Sequence, residues 1–340
     1  MRAVWSFWTK PFYGQHGPKW LNLPLYLMSW VLSVEMAKQF FPETFLFTDD
    51  AGADILIDRL GLEFSHVSKE LNALDAYDPK WFTLGKLFTY RAQTEPFVHL
   101  DMDVFLSKPL PLEFLSAPVF AQNPEYFYTG GSKCYLPGEF EQAVMNNGEG
   151  WLPEEWKWYR HYLDGIQKAV CCGILGSNHL DFINYYANLA ISIIDHPSNT
   201  NQLSALEKKR HHSILIEQFL LPACIDYHNN IQDSAYKGVY INYLFTTLAE
   251  AYKNEAEVGY THLMLGNLKH NKHFANLLAK KVKREFPEFY KRCIQYAAEL
   301  NIQTRSTRYI LLTTFDKQEE LSLLEEERMA QVDDSPLSPT

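Results

Sequence analysis

The chain has 340 residues, of which 46% are hydrophobic, and a formal net charge of −10. This composition supports a substantial buried core in one large or two smaller globular domains and excludes a wholly disordered chain. Residues 316–340 contain eight acidic and two basic side chains, so most of the negative charge belongs to the C-terminal tail. The basic residues form no stripe of the kind that binds nucleic acid, and we expect no nucleic-acid partner.

The N-terminal sequence contains no evident secretory signal, because residues 1–20 lack a continuous apolar segment and a small-residue cleavage site. The longest apolar stretch, at 23–37, is interrupted by polar residues and is shorter than the roughly 20 residues that span a bilayer. The five cysteines form no C-x-x-C pair, which is consistent with a reducing compartment. We therefore expect a soluble, cytoplasmic protein with no transmembrane segment.

Short β-prone runs alternate with amphipathic segments over the first 120 residues. The predicted strands are 3–8, 44–48, 62–67 and 97–100, and the predicted helices between them lie near 24–34, 52–60 and 81–92. This alternation is typical of a mostly parallel sheet with helices on its faces. The predicted fold class is therefore α/β, with a Rossmann-like, mostly parallel sheet flanked by helices.

The second half of the chain has a less regular pattern. Residues 122–164 are rich in glycine, proline and aromatic side chains, and we predict an elaborated loop region there. A strand near 169–175, helices near 179–194 and 204–220, and a short strand near 259–265 follow. The chain closes with a helical stretch near 273–300 and an acidic tail that we expect to be disordered.

Two aspartates, Asp101 and Asp103, follow the predicted strand in the sequence FVHLDMDVFLSKPL. Ligands bind to open α/β sheets at the carboxyl ends of the strands. Beyond the strand the backbone can turn both carboxylates towards one ligand, although their charges repel each other. A divalent cation such as Mg²⁺ or Mn²⁺ relieves that repulsion and can bridge to phosphates. The alternative is a pair of solvated or capping aspartates at a strand-to-turn junction.

The segment 98–111, which contains Leu-Asp-x-Asp-Val and ends in Lys-Pro-Leu-Pro, resembles the DXD region of GT-A fold glycosyltransferases, particularly the retaining families 8 and 32. The order of elements over residues 1–275 is similar too, and the N-terminal half resembles an uncharacterised bacterial family of glycosyltransferase-like proteins. The resemblance implies a GT-A fold, a nucleotide-sugar donor, a glycan or other acceptor, and Mn²⁺ or Mg²⁺ held by Asp101 and Asp103.

The resemblance also implies a domain organisation. Residues 1–275 would form the glycosyltransferase domain, with a nucleotide-binding half at 1–121 and an acceptor and catalytic half at 122–275. Residues 276–315 would form a C-terminal helical extension, and 316–340 the acidic tail.

Two further segments match the families in the expected order. GKLFTYR, at 85–91, lies on the helix before the DXD strand, where a basic residue contacts the donor diphosphate; Lys86 is the candidate and Arg91 the reserve. HLMLGNLK, at 262–269, resembles a late His-x-x-Gly-x-x-Lys element with one extra residue. The resemblance implies that His262 binds the metal, that Gly266 allows close backbone approach, and that Lys269 binds diphosphate. An ordinary surface helix and a structural histidine are the alternatives.

Two segments resemble the part of these enzymes that surrounds the sugar. IEQFLL, at 216–221, resembles the Asp-Gln pair beneath the sugar, which makes Glu217 and Gln218 catalytic candidates. CCGILGSN, at 171–178, resembles an Asn-x-Gly segment that holds the donor sugar; Gly173 is retained, but Cys171 and Cys172 replace the polar residues. A Glu-Gln pair is also common in amphipathic helices with no catalytic role.

The loops after the first two predicted strands hold the nucleotide in GT-A folds. In VWSFWTKPFYG, the resemblance implies that Trp5 and Ser6 line the base pocket and that Lys10 reaches phosphate. In FTDDAG, Thr48, Asp49 and Asp50 become candidates for contacts with the base or ribose. Both segments could equally consist of turn residues, since Asp and Gly favour turns.

The resemblance implies a mechanism in which the metal acts as a Lewis acid on the departing diphosphate, while Lys86 and Lys269 share its charge. Two other functions remain open. One is a non-catalytic nucleotide-sugar-binding module of the same fold, which the Cys171-Cys172 pair and the altered histidine spacing favour. The other is an Asp-x-Asp phosphohydrolase, which is less favoured because Phe105 stands where that class has Thr or Val.

Overall fold

The computed structural model describes residues 1–13, 20–128, 134–145, 150–162, 165–264 and 266–311. The acidic tail predicted at 316–340 lies outside these residues. The chain divides into two compact units, Met1–Cys293 and Ile294–Thr340. In the second unit the structure describes the end of one helix, as far as Leu311. The domain boundaries inferred from the sequence stay predictions.

The first unit contains the strands of two β-sheets. The strands are β1 (Arg2–Phe7), β2 (Thr44–Thr48), β3 (His66–Ser68), β4 (Phe97–Leu100), β5 (Val104–Leu106), β6 (Val119–Tyr128), β7 (Ile166–Ser177), β8 (Ile241–Tyr243) and β9 (Tyr260–His262). The larger sheet has the order β3-β2-β1-β4-β7-β6-β8, and the smaller one pairs β5 with β9.

The α-helices lie mainly between the strands. They are α1 (Lys10–Tyr13), α2 (Leu23–Ala37), α3 (Asp50–Ala53), α4 (Leu84–Arg91), α5 (Leu112–Leu115), α6 (Pro137–Val144), α7 (Glu154–Tyr162), α8 (Leu180–Asp195), α9 (Thr200–Ala205), α10 (Lys209–Gln218), α11 (Leu220–Asn230), α12 (Leu248–Lys253), α13 (Glu255–Val258), α14 (Gly266–His270), α15 (Lys272–Glu285) and α16 (Pro287–Leu311). Within the described ranges, none of these helices has both the length and the apolar character that crossing a bilayer requires.

The larger sheet is mostly parallel. Strands β3, β2, β1 and β4 run parallel to one another, and β8 runs parallel to β6. Strand β7 is antiparallel to both of its neighbours, β4 and β6. The α/β class with a mostly parallel sheet, predicted from the alternation of strands and helices, is therefore confirmed.

Helices cover both faces of the sheet. Successive side chains of a strand point to opposite faces. On β1, Val4 belongs to the same buried cluster as Leu84 and Leu87 of α4. Its neighbour Trp5 points the other way and donates a hydrogen bond from Nε1 to Ser33 Oγ of α2, at 2.9 Å. A strand buried on both faces needs mostly apolar residues, which explains the apolar character of β1.

Local sequence signals set the ends of several elements. Asn22 caps α2, because its side chain accepts a hydrogen bond from the Leu25 N–H at 3.0 Å, and Pro24 lies in the first turn, where a missing N–H costs little. The helix predicted over 52–60 forms as α3 followed by a π-helical turn, Asp54–Arg59. It ends at Gly61, whose φ of +76° is a left-handed conformation that favours glycine.

The aromatic-rich stretch 122–164 has more regular structure than the predicted loop. It contains the end of β6 and the helices α6 and α7. The rings of Trp156 and Tyr159 on α7 are fully buried and lie 4.8 and 5.1 Å from the ring of Phe219. The rings of Trp156 and Tyr159 therefore belong to a buried helical core, and the loop prediction was wrong for β6, α6 and α7.

Candidate metal centre

Asp101 and Asp103 lie directly after β4, at the carboxyl end of the parallel part of the sheet. The Asp101 N–H donates to the carbonyl of Gly173 on β7, at 2.9 Å. The Asp101 carbonyl accepts from the Ser33 hydroxyl at 3.1 Å and from the Val104 N–H at 3.0 Å. These bonds fix the turn between β4 and β5, on which both carboxylates are carried.

His262 reaches the same place through long-range strand pairing. In the sheet formed by β5 and β9, Val104 lies opposite His262, and the Asp103 carbonyl accepts from the Leu263 N–H at 3.1 Å. The His262 Nε2 atom lies 3.4 Å from Asp103 Oδ1. Ligand atoms from Asp101, Asp103 and His262 all lie within 4.8 Å of one another. Carboxylates and imidazole are ligands of divalent metal ions, so these three residues are suited to hold a divalent cation.

Each carboxylate also contacts a lysine. Lys86 on α4 places Nζ 2.7 Å from Asp101 Oδ1 and 3.1 Å from the carbonyl of Cys172. Lys269 on α14 forms an ion pair with Asp103 Oδ2. The structure thus brings together both lysines that the sequence resemblance assigned to the diphosphate, one on each side of the carboxylate pair.

The two carboxylates have opposite pKa shifts. Burial raises the pKa of Asp101, and the charge of Asp103 adds to this effect, while Lys86 opposes it. Burial also acts to raise the pKa of Asp103, but Lys269 and His262 outweigh it and hold that pKa well below its usual range. Asp103 is therefore ionised at neutral pH.

The adjacent catalytic candidates Glu217 and Gln218 lie in different surroundings. Glu217 is 1% exposed, and its Oε1 lies 3.4 Å from Lys86 Nζ and accepts from the Tyr90 hydroxyl at 3.2 Å. Burial raises the pKa of Glu217 to about 7, although Lys86 acts in the opposite direction. Gln218 Oε1 instead lies 2.5 Å from the hydroxyl of Tyr135. The structure joins Glu217 to the lysine and carboxylate cluster and places Gln218 in a separate contact.

A cavity of about 290 Å³ opens beside the carboxylates. Its aromatic wall includes Trp8, Phe12, Trp20, Tyr26, Trp30 and Phe82. Among the residues that the structure describes, its charged lining consists of Lys86, Asp101, Asp103, Arg210 and Lys269. The cavity thus combines planar apolar rings with a cluster of both charge signs, which is the character of a site for a small polar ligand.

Arg210, on the first turn of α10, is a cavity residue that the sequence reasoning missed. Its guanidinium lies 4.7 Å from the ring centroid of Phe82 and so stacks on the cavity wall. The sequence feature that could have pointed to Arg210 is the basic run KKRHH at 208–212. That run resembles any solvated helix start, so only the packing of α10 against the cavity distinguishes Arg210.

The candidates from the first loop separate in the structure. Ser6 lines the cavity, and its Oγ lies 2.9 Å from His99 Nε2. Trp5 is fully buried in the core and faces α2. Lys10 donates to backbone carbonyls, including that of Tyr77 at 3.0 Å. Of these three, the structure brings Ser6 to the cavity; the binding roles of all three stay predictions.

Thr48 and Asp49 hold the ends of β1 and β2 together. The Thr48 hydroxyl donates to the Phe7 carbonyl at 2.7 Å. The Asp49 carboxylate accepts from the N–H of Thr9 at 2.7 Å and from that of Gly52 at 2.8 Å, which caps α3. These contacts match the turn and capping alternative, while contacts with a base or ribose stay predictions.

The candidate glycines, Gly173 and Gly266, lie next to residues of the proposed site. A Cβ atom on Gly173 would lie 2.2 Å from His262 Cε1, so the approach of these residues requires glycine. Gly266 begins α14, the helix that carries Lys269. Their predicted roles around a donor substrate are not tested by these positions.

The chain belongs to DUF6734, described as a family of unknown function, whose model matches residues 1–296. None of the curated proteins compared with the chain matches it. Among solved structures, the chain is similar to the galactosyltransferase LgtC in complex with donor and acceptor sugar analogs. The identity is 14%, the match covers 64% of this chain and 70% of that chain, and the TM-score is 0.32. A likeness this distant does not identify an activity.

Proposed function

We propose that this protein is a metal-dependent glycosyltransferase that moves a sugar from a nucleotide-sugar donor to a glycan or other acceptor, with retention of configuration at the anomeric carbon. One observation carries the proposal. Asp101 and Asp103 line an aromatic cavity, His262 places a ligand atom within 4.8 Å of both carboxylates, and a lysine contacts each carboxylate. A nucleotide sugar presents a planar base and a diphosphate, and the cavity offers a matching group for each.

The aromatic wall suits the base and the apolar face of a sugar, because planar rings stack on both. Asp101, Asp103 and His262 would hold Mn²⁺ or Mg²⁺, which, when bound, supplies Lewis-acid stabilisation of the charge on the departing diphosphate. Lys86, Lys269 and Arg210 bring three further cationic groups to the same cavity. Together these groups support the assignment of a diphosphate-containing donor.

The lysines are held in place before any substrate arrives. Each contacts a carboxylate, so its ammonium group is oriented by the protein and needs little reorganisation to meet a phosphate oxygen. Lys86 is further held by Glu217 and by the carbonyl of Cys172. For the group next to the sugar, the proposal favours Glu217 over Gln218, because Glu217 contacts Lys86, which lines the cavity.

The test is a turnover assay with a panel of nucleotide sugars, in which release of the nucleoside diphosphate is measured with Mn²⁺ and after chelation by EDTA. We expect metal-dependent release by the wild type. Asp103→Asn should lower the rate about 10²- to 10³-fold, the loss typical of one preorganised charge-stabilising group. The matched control is Asp58→Asn, since Asp58 is exposed on the π-helical turn. Circular dichroism establishes that both variants fold.

Several outcomes would change the proposal. Unchanged turnover in Asp103→Asn would contradict it. Metal-dependent binding of a nucleotide sugar without turnover, tested with a range of acceptors, would favour the non-catalytic module. Release of phosphate from phosphomonoesters would favour the phosphohydrolase. The anomeric proton coupling of the product, measured by NMR, decides retention separately, and an inverted product would overturn that part alone.

A further inference from the structure

A buried glutamine contacts the proposed histidine ligand on the side away from Asp103. Gln122 lies on β6 and is fully buried. Its Oε1 atom lies 2.6 Å from His262 Nδ1 and accepts from the Tyr260 hydroxyl at 2.7 Å. Its Nε2 donates to Met264 Sδ at 3.3 Å. The oxygen and the nitrogen of this amide therefore each have a partner.

The contacts determine which way the amide points. With Oε1 towards Tyr260 and His262, the oxygen receives donors and the amide N–H faces the thioether sulfur, a weak acceptor. The reversed amide would place its oxygen against the sulfur of Met264, where neither atom can donate. The hydroxyl on one side and the sulfur on the other thus favour the same orientation.

That orientation determines the protonation of the imidazole. A carbonyl oxygen only accepts, so the ring nitrogen that faces it, Nδ1 of His262, must carry the proton. In the neutral ring, Nε2 then keeps its lone pair, and Nε2 is the atom 3.4 Å from Asp103 Oδ1. We propose that Gln122 is a positioning residue that fixes His262 in the Nδ1–H tautomer and so presents Nε2 as a metal ligand; the metal itself rests on the proposed function.

The neighbouring strand leaves room for this contact. A Cβ atom on Gly173 of β7 would lie 2.8 Å from Gln122 Oε1, in addition to its clash with the His262 ring. The absence of a side chain at Gly173 therefore lets the glutamine and the histidine approach each other. Outer hydrogen bonds of this kind orient metal-ligating histidines in many proteins and raise their basicity.

The first test is the tautomer in metal-free protein, measured by long-range ¹H–¹⁵N NMR of ¹⁵N-labelled histidine, with the His262 signals assigned by their loss in His262→Gln. We expect the Nδ1–H pattern in the wild type. Gln122→Leu removes the acceptor and should shift the ring towards a mixture of tautomers. Gln122→Glu keeps an oxygen acceptor and should retain Nδ1–H. The matched control Gln93→Leu replaces another buried glutamine, which contacts Arg2, and should leave the His262 pattern unchanged.

The second test is the affinity for Mn²⁺ alone, measured by titration calorimetry. Gln122→Leu should weaken binding about 10- to 100-fold, the usual effect of losing such a partner, while Gln122→Glu and Gln93→Leu should not. An Nε2–H tautomer in the wild type overturns the inference even if Mn²⁺ binds, and this result does not depend on whether the Gln122 variants fold. Equal affinities for the wild type and Gln122→Leu also overturn it. If the wild type shows the Nδ1–H tautomer but binds no Mn²⁺, the role of Gln122 in setting the tautomer stands, and the metal dependence in the proposed function is contradicted.

Discussion

A single residue, Met102, separates Asp101 from Asp103 in the sequence, but the charged groups around the two carboxylates differ. Asp101 shares Lys86 with a second buried carboxylate, Glu217. Asp103 contacts both Lys269 and His262. On the Asp101 side one lysine faces two carboxylates, and the nearby imidazole of His99, 3.8 Å from Asp101 Oδ1, is neutral because burial lowers its pKa. On the Asp103 side a lysine and an imidazole face one carboxylate.

The pKa shifts follow this difference. Burial, strengthened by the charge of Asp103, raises the pKa of Asp101, and the pKa of Glu217 rises to about 7 for the same main reason. The pKa of Asp103 falls, because Lys269 and His262 outweigh burial. The Asp101 side thus carries surplus negative charge in a buried setting, which costs free energy. A cation bound as proposed would relieve that cost mainly on the Asp101 side, while Asp103 is already ionised without it.

The largest expected effect is that of Lys86→Met. This change leaves Asp101 and Glu217 buried without the lysine between them, and breaking a buried ion pair costs about 3–5 kcal/mol. Lys269→Met should cost less, because Asp103 keeps its contact with His262. Urea denaturation measures both losses, with Lys280→Met, at an exposed position on α15, as the control. Equal losses for Lys86→Met and Lys269→Met would contradict the contrast between the two sides.

The next prediction concerns the pH dependence of Glu217. Its pKa is raised from 4.5 to about 7 in the folded protein, so the folded state holds a proton that the unfolded chain releases in this range. Its contribution to stability is therefore present below pH 4.5 and is lost as the pH rises to 7. The loss amounts to about 3 kcal/mol.

The measurement is the difference in free energy of unfolding between the wild type and Glu217→Gln, followed from acidic to neutral pH. We expect the wild type to lose stability relative to the variant as the pH rises. The variant retains the other ionisable groups of the cluster, so the difference reports the ionisation of Glu217 together with its coupling to Lys86 and Asp101. A difference that does not change with pH would show that Lys86 compensates for burial completely.

The residues of the site also differ in how far the sequence predicts their positions. The parallel strands and the position of Asp101 and Asp103 after β4 follow from the local alternation of apolar and amphipathic segments. His262 and Lys269 were reached only through the resemblance to known enzymes. Their position depends on the pairing of β5 with β9, which joins distant three-residue strands. Such short strands carry almost no periodic signal.

Burial on both faces explains why the first strand was harder to interpret. Trp5 and Ser6 are adjacent, yet Trp5 enters the core and Ser6 lines the cavity. In an alternating strand the polar residues would mark the exposed face, but β1 is covered by helices on both sides. The aromatic-rich stretch 122–164 raised the same difficulty, because composition alone does not distinguish rings that line a pocket from rings such as that of Trp156, which is buried in the core.

A smaller effect is expected for Gly173→Ala, which tests the position of the His262 ring beside Asp103. The added Cβ would meet the His262 ring at 2.2 Å, so the ring must move. Overpacking of this kind costs about 1–3 kcal/mol, and displacement of the ligand should weaken Mn²⁺ binding about 10- to 100-fold. Gly138→Ala is the control, because the one neighbour of its Cβ within 4 Å in the described part of the chain is Arg160 Nη2, at 3.4 Å. If the affinity for Mn²⁺ is unchanged in Gly173→Ala, His262 is not a ligand of the metal.

The smallest expected effect is that of Ser33→Ala on the Asp101 side. The Ser33 hydroxyl accepts from Trp5 Nε1 and donates to the Asp101 carbonyl, so the variant leaves a buried indole N–H without its acceptor. This costs about 1–3 kcal/mol, and we expect the lower end, measured by denaturation against Ser204→Ala at an exposed site.

The double variant Ser33→Ala with Trp5→Phe tests whether the unsatisfied indole is the cause. Phenylalanine has no N–H to satisfy, so the additional cost of losing the Ser33 hydroxyl should be smaller in a Trp5→Phe background than in the wild type. If the serine costs the same in both backgrounds, the loss comes from its bond to the Asp101 carbonyl. The turn that carries the carboxylate pair would then be the element that Ser33 stabilises.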